Sequence, residues 1–240
     1  AEGVPRDQIS HTINAFLAAL RMNGQVCGRE WPISISDSQY QVTVLLPAQD
    51  ALEHTHMNHY VEHALEHIHI LGLNEPSIFV CGEDIDSITC TCSKIDTYIL
   101  YTTYLSLESP LRCGTCFGTI PLYSVPPTYD GEYYDIIVWQ SDYQACDSLQ
   151  MNCSTLERAT LRELTQCNSS LSHQGRTICH KLMTTTCRPT YYYLYPSQTP
   201  TRKKVADPSC PSCGQPWRLE KSWHAFDFKC DICYLLSAKE

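Results

Sequence analysis

Apolar residues recur at helical spacing near the start of the chain. They stand at positions 9, 13, 16, 17 and 20, and Asn23-Gly24 follows, which is typical of an amphipathic helix that ends there. A second helix is predicted after Asp50, with apolar side chains at 52, 61, 64, 65 and 68 and Gly72 as its terminator. Runs of β-forming residues predict strands over 40–46, 78–81 and 98–105, and the last is apolar enough to be central.

The later part of the chain is more helical. A helix is predicted after Ser154, another covers 171–186 and stops before Pro189, and a five-residue aromatic strand follows over 191–195. The pattern predicts an α+β fold: a small mixed α/β sandwich body, a helical segment and a C-terminal ribbon. The expected divisions are an N-terminal domain (1–107), a cysteine-containing central segment (108–195), a linker (196–208) and the ribbon (209–240).

Two Cys-x-x-Cys pairs in the ribbon are the strongest chemical signal. Cys210 and Cys213 form one pair and Cys230 and Cys233 the other, with sixteen residues between them. Each pair can fold into a tight turn that aims both thiolates at one ion, so the spacing predicts a four-thiolate zinc ribbon. Such a site has no open coordination position, and its zinc would stabilise the fold without taking part in chemistry.

A third Cys-x-x-Cys pair, Cys113 and Cys116, has two candidate sets of partners. Cys146 and Cys153 lie downstream and would share one face of a helix, whereas Cys90 and Cys92 lie upstream. One zinc is therefore expected and a second is a hypothesis. The alternatives are reduced, buried cysteines that pack as small hydrophobic groups, or a redox dithiol. The sequence after Cys116 does not open a helix, which argues against the redox alternative.

Charge along the chain bears on its partners. The net charge is −9, but residues 201–240 carry seven Lys/Arg against five Asp/Glu, and residues 1–200 carry ten against twenty-one. Attraction to nucleic acid is therefore expected only at the ribbon and its lead-in, where aromatic and basic residues alternate. The candidate contacts, to nucleic acid or to a protein partner, are Arg202, Lys203, Lys204, Arg218, Lys221, Trp223 and Lys229.

The predicted helix after Asp50 is rich in histidine. His63, Glu66 and His67 match the His-x-x-Glu-His pattern of inverted zinc peptidases, in which two imidazoles bind zinc and the carboxylate activates water. A peptidase also needs a third ligand and a larger body, and neither is evident. The favoured interpretation is a solvated polar face, with no catalytic residues in the chain.

Several segments together resemble a known family. They are Glu108–Gly118, Tyr143–Cys153, Tyr191–Tyr195, Cys210–Gly214 and Phe226–Ser237. They are similar to a bacterial family of unknown function whose members contain a zinc ribbon and for which nucleic-acid binding is a proposed role. The resemblance implies a cytoplasmic protein, a ribbon on the four C-terminal cysteines, and family motifs that include Cys113, Cys116, Cys146 and Cys153. It therefore favours the downstream partners for the second site. The chain departs from the pattern at Tyr234, where a basic residue is expected.

The expected function follows from these observations. The sequence predicts a non-enzymatic, zinc-binding recognition protein whose ribbon contacts nucleic acid or a nucleic-acid-handling complex. A protein–protein adaptor with purely structural zinc is the alternative, and a hydrolase on the histidine-rich helix is less favoured. No run of eighteen apolar residues and no export signal is seen, so we expect no membrane partner and a reducing compartment.

Overall fold

The structure is a computed structural model that describes residues 3–85, 88–196 and 209–239. Helices and strands are both present, so the predicted α+β class is confirmed. The chain forms two compact units. Unit 1 comprises Ala1–Thr89, Leu107–Ser109 and Gly118–Tyr134, and unit 2 comprises Cys90–Ser106, Pro110–Phe117 and Asp135–Glu240.

This division differs from the predicted boundary at 107/108. The strand Tyr98–Leu100 was expected in the N-terminal domain, but it pairs with Leu111–Cys113 on one side and Thr190–Tyr193 on the other. Because strand pairing joins these segments into one sheet, the strand belongs to unit 2. Most of the predicted linker, from residue 197 to residue 208, lies outside the described residues.

Unit 1 is built on two helices and a hairpin. Helix α1 (Arg6–Met22) and helix α2 (His59–Ile70) pack against each other, and β1 (Ile33–Ser36) pairs with β2 (Gln39–Val42) in an antiparallel hairpin. The apolar stripes read from the sequence supply the core of this unit. Its buried members are Ile9, Ile13, Phe16, Leu17, Leu20, Val26, Val61, Leu65 and Ile68.

Two predictions for unit 1 are corrected. The second helix begins at His59 rather than after Asp50, because the Asn58 side chain accepts a hydrogen bond from the Val61 backbone N–H at 3.0 Å and caps the helix there. A short 3₁₀ turn, His54–His56, precedes it. Residues 78–81 form no strand, and Phe79 and Val80 are exposed.

Unit 2 contains a six-stranded mixed sheet. Its strands are β3 (Tyr98–Leu100), β4 (Leu111–Cys113), β5 (Thr190–Tyr193), β6 (Arg218–Trp223), β7 (Phe226–Cys230) and β8 (Leu235–Ser237), in the order β4-β3-β5-β8-β7-β6. Strands β5 and β8 are parallel, with Tyr192 opposite Leu235. The C-terminal ribbon is therefore continuous with the sheet of the central segment rather than a separate module.

Three helices complete unit 2: α3 (Tyr134–Asn152, whose first residue belongs to unit 1), α4 (Glu157–Thr165) and α5 (Ser170–Thr186). Helix α5 approaches β5 closely at Gly175, where an added Cβ would lie 2.2 Å from the Tyr192 ring. Glycine is thus required for this packing. Among the described residues, no helix combines the length and apolarity needed to cross a membrane.

Candidate metal centres

Four cysteines converge at the ribbon. We call Cys210, Cys213, Cys230 and Cys233 the C-terminal tetrad; their sulfurs lie within 4.8 Å of one another. Cys230 ends β7, and Cys233 lies in the turn before β8. The Cys233 backbone N–H donates a hydrogen bond to the Cys230 Sγ at 3.4 Å. The turn between the two cysteines therefore aims both sulfurs at one point.

A second group of four cysteines lies at the end of β4. We call Cys90, Cys92, Cys113 and Cys116 the central tetrad, and its sulfurs also lie within 4.8 Å of one another. Cys113 ends β4, and its Sγ accepts from the Thr115 backbone N–H at 3.4 Å. The two tetrads thus share one local design, in which a strand ends in a cysteine and the next turn returns the second thiol.

The partners of Cys113 and Cys116 are the upstream alternatives and not Cys146 and Cys153. Cys146 lies on α3, and the Cys153 thiol, just after this helix, donates to the Gln150 carbonyl at 3.1 Å. Neither belongs to the group of converging sulfurs. The pairing of β3 with β4 explains the selection, because it places Tyr98 opposite Cys113 and so brings the segment that leads into β3 beside the cysteine turn.

Sulfur separations in both tetrads fit a shared ion. Four thiolates about 2.3 Å from one tetrahedral ion lie about 3.8 Å from each other. The Cys92 and Cys113 sulfurs are 4.0 Å apart, and the Cys213 and Cys230 sulfurs are 3.6 Å apart. A disulfide would bring two sulfurs to about 2.05 Å, and none of the fifteen cysteines, all of which lie among the described residues, forms one. Each tetrad can hold one metal ion.

Each tetrad contains one thiol that ionises easily. Burial raises the pKa of Cys113, but the backbone N–H groups of Cys116 and Thr115 outweigh it and the pKa is about 7. The Gln215 backbone N–H lowers the pKa of Cys213 to about 7. Burial raises the pKa of Cys210 to about 12. Because zinc binds the thiolate, metal binding would displace protons from these thiols, and more readily from Cys113 and Cys213 than from Cys210.

The tip of the β6–β7 hairpin lies against the turn of the central tetrad. The Trp223 Nε1–H donates to the Gly114 carbonyl at 2.9 Å, and the His224 Nε2 lies 2.8 Å from the same oxygen. The His224 ring stacks on Phe117 with a centroid separation of 5.1 Å. Sequence reasoning missed this contact, because nothing local relates residues more than a hundred positions apart.

The candidate contact residues fall into three groups. Arg218 and Lys221 are exposed on β6, the strand at the edge of the sheet. Trp223 is half-buried and engaged with Gly114, and the Lys229 Nζ lies 2.7 Å from the Asp231 carboxylate. The remaining three lie outside the described residues: Arg202, Lys203 and Lys204. The Trp217 ring stacks on Phe228, with ring centroids 5.3 Å apart.

Among the described residues, the histidine-rich helix α2 belongs to no converging group of metal-ligating side chains. His63 and His67 have ring centroids 4.6 Å apart, and both lie with Glu66 on the exposed face of α2. Within the part of the chain that the structure describes, no third His, Cys, Asp or Glu converges with them, since the two cysteine tetrads are the groups that do converge. The arrangement lacks the third ligand that the hydrolase alternative requires.

Three family models match successive parts of the chain. Residues 2–82 match Domain of unknown function (DUF8589), residues 92–195 match Domain of unknown function (DUF2310), and residues 201–239 match Domain of unknown function (DUF8594). The C-terminal tetrad lies in the segment 201–239. Three cysteines of the central tetrad lie in the segment 92–195, and Cys90 lies just before it.

Two relatives come from Haemophilus influenzae, and both are described as "Uncharacterized protein". One is 41% identical over 140 residues, which cover 58% of this chain and 69% of the relative. The other is 36% identical over 234 residues, which cover 95% of this chain and 90% of the relative. No solved structure gives a significant match. Because the second similarity extends over nearly the full length of both proteins, the chain belongs to the bacterial family of unknown function that includes this Haemophilus influenzae protein.

Proposed function

We propose that the protein is a zinc-stabilised, non-enzymatic recognition protein that carries two structural zinc ions. The observation that carries this proposal is the convergence of two closed sets of four cysteine sulfurs. Tetrahedral sites made only of thiolates suit zinc or iron–sulfur chemistry, and a mononuclear four-thiolate zinc site leaves no position for water or substrate. The metals would hold the sheet of unit 2 together. Metal analysis of the purified protein by plasma mass spectrometry tests their identity, with zinc expected and iron contradicting it.

The proposed contact surface is the edge strand β6 together with the lead-in to the ribbon. Arg218 and Lys221 are exposed on β6, and Arg202, Lys203 and Lys204 precede the ribbon in sequence. An edge strand with exposed basic side chains can lie along a phosphate backbone, and cations there would release counterions on binding. Fifteen cysteines without a disulfide among the described residues suit a reducing compartment, so we propose that this activity takes place in the bacterial cytoplasm.

Salt dependence of binding to single-stranded DNA or RNA tests this surface. Reversing charge at Lys203, Lys204 and Lys221 should weaken binding and reduce the salt slope by about one for each phosphate that the variant no longer neutralises. Arg158→Glu is the single-charge control for Lys221→Glu, because Arg158 is exposed on α4 and is not part of β6. Equal weakening by these two single changes, or the absence of binding to any nucleic acid, would contradict the nucleic-acid proposal.

The alternative function is a protein–protein adaptor. One structural observation favours it: Trp223 and Lys229 are engaged within unit 2, which reduces the aromatic and basic groups that could hold nucleic acid. Residues 1–200 also carry an excess of acidic side chains that would repel phosphate. Partners of an adaptor should survive nuclease treatment in a pull-down and should be lost when the C-terminal tetrad is removed. Loss of all partners on nuclease treatment would favour nucleic acid.

A further inference from the structure

Two side chains of the ribbon contact one backbone carbonyl in the turn of the central tetrad. Gly114 lies between the ligand candidates Cys113 and Cys116, and its oxygen faces the Trp223 Nε1–H at 2.9 Å and the His224 Nε2 at 2.8 Å. A carbonyl only accepts hydrogen bonds, so the imidazole nitrogen must act as a donor here. The hairpin tip of the ribbon is thus bound to the central cysteine turn.

This contact requires the turn to be folded. The Phe117 backbone N–H donates to the Cys113 carbonyl at 2.9 Å, and the Gly114 N–H donates to the Thr97 carbonyl at 2.8 Å. An added Cβ at Gly114 would lie 2.8 Å from Thr97 and 3.0 Å from the Trp223 ring. Two thiolates held by one ion close the turn in this shape, so a bound metal would fix the direction of the Gly114 carbonyl.

The same hairpin also contacts the turn of the C-terminal tetrad. The Lys229 Nζ lies 5.1 Å from the centroid of a Trp223 ring and 2.7 Å from the Asp231 carboxylate. Asp231 lies between Cys230 and Cys233, and it also accepts a hydrogen bond from the Tyr191 hydroxyl. Gly114, Trp223, Lys229 and Asp231 therefore form a continuous series of contacts from one cysteine turn to the other.

We infer that the two tetrads bind zinc cooperatively, because each filled site orders one end of this series of contacts. The inference rests on the proposed zinc sites and adds a coupling between them. By thermodynamic linkage, zinc in the C-terminal tetrad should raise the affinity of the central tetrad by the same factor as the reverse. We expect a factor of about ten, within the usual range for coupled sites.

Native mass spectrometry at buffered zinc concentrations measures this coupling. The affinity of each single site comes from Cys113→Ser/Cys116→Ser and from Cys210→Ser/Cys213→Ser. Together the two values predict how many unaltered molecules carry one zinc if the sites are independent. Cooperative binding should deplete the one-zinc species below that prediction, with molecules carrying none or two in its place.

Variants of the hairpin tip locate the coupling. The double variant Trp223→Phe/His224→Ala removes both hydrogen-bond donors to Gly114 without changing a cysteine. It should raise the one-zinc population to the value predicted for independent sites. The zinc affinity of each single site should stay nearly unchanged. Trp223→Phe alone is the milder variant and should restore part of the one-zinc population. Trp31→Phe is the matched control, because Trp31 donates to the Cys27 carbonyl in unit 1. We expect it to leave the populations unchanged.

The outcomes separate this inference from the proposed function. Two zinc ions bound with independent affinities would overturn the coupling and leave the proposed structural sites intact. Unchanged cooperativity in the tip variants would also overturn it, since the contacts at Gly114 would then carry none of the effect. Absence of zinc from both tetrads would overturn the inference together with the proposed function.

Discussion

In unit 1, two helices bury apolar side chains against each other. Unit 2 instead contains a six-stranded sheet in which two strands end at cysteine tetrads. Unit 1 holds two of the fifteen cysteines and unit 2 holds thirteen. The strands of unit 2 are short, with β3, β4 and β8 three residues each. Short strands supply few ladder hydrogen bonds, so metal ions would contribute much of the stability that longer elements provide elsewhere.

Removal of metal is the change that should separate the two units most strongly. Structural zinc sites contribute on the order of 10 kcal/mol to folding, which exceeds the net stability of many domains. A strong chelator should therefore abolish amide protection in β4, β7 and β8 while α1 and α2 retain theirs. Hydrogen exchange with mass spectrometry measures both regions in one sample. Equal loss of protection in α1 and α2 would show that the units are not stabilised independently.

A core substitution in unit 1 should have the complementary effect. Ile68→Ala empties a buried position on α2 and should lower the free energy of unfolding of unit 1 by about 2–5 kcal/mol. Ile70→Ala is the matched control on the same helix, since Ile70 is 76% exposed and Ile68 only 4%. Denaturant unfolding followed by helix signal measures both variants. A loss of zinc in Ile68→Ala would contradict the distinction between the units.

The cap of α2 offers a smaller test. Asn58→Ala removes the oxygen that accepts from the Val61 N–H, and removing a cap of this type costs about 1 kcal/mol. The Asn58 amide also donates to the Gly131 carbonyl at 3.0 Å, so Asn58→Asp, which keeps the accepting oxygen, separates the two contributions. Thermal unfolding should rank Asn58→Ala below Asn58→Asp. The reverse order would contradict the capping role of the Asn58 oxygen, since both variants lack the amide that donates to Gly131.

The smallest expected effect is a change of pKa in unit 1. The Tyr123 hydroxyl donates to the Asp50 carboxylate at 2.7 Å and, with a contribution from His56, holds the pKa of Asp50 below its usual value. Such a carboxylate stabilises the fold above its unfolded pKa and loses that contribution as pH falls through its folded pKa. In Tyr123→Phe the pKa of Asp50 should rise. Carbon-detected NMR titration of the carboxylate measures it, and an unchanged value would contradict the assignment.

Sequence reasoning was most successful where the signal is local. The two ribbon pairs are Cys-x-x-Cys turns, and the structure brings all four sulfurs together. It could not select the partners of Cys113 and Cys116, because Cys90/Cys92 and Cys146/Cys153 both had suitable spacing. The selection depends on β3 pairing with β4, a non-local contact that spacing does not encode. The resemblance to a family favoured the pair that the structure does not place there.

The fold shows the same limit. The apolar period predicted α1 well, because helical spacing reports one buried face directly. The sequence pattern placed the start of α2 too early. Asp50 and Asn58 are both good capping residues, and only the packing determines which of them caps the helix. Residues 78–81 have the composition of a strand, yet a strand needs a partner, and none of the described strands pairs with them.

The number of zinc ions bound per chain tests the central claim most directly. Native mass spectrometry at saturating zinc should show two ions in the unaltered protein, one in Cys90→Ser, one in Cys210→Ser and two in Cys146→Ser. The last variant is the matched control, since Cys146 lies outside both tetrads. A single ion in the unaltered protein that Cys90→Ser leaves in place, or the loss of one ion in Cys146→Ser, would contradict the account of two four-thiolate centres.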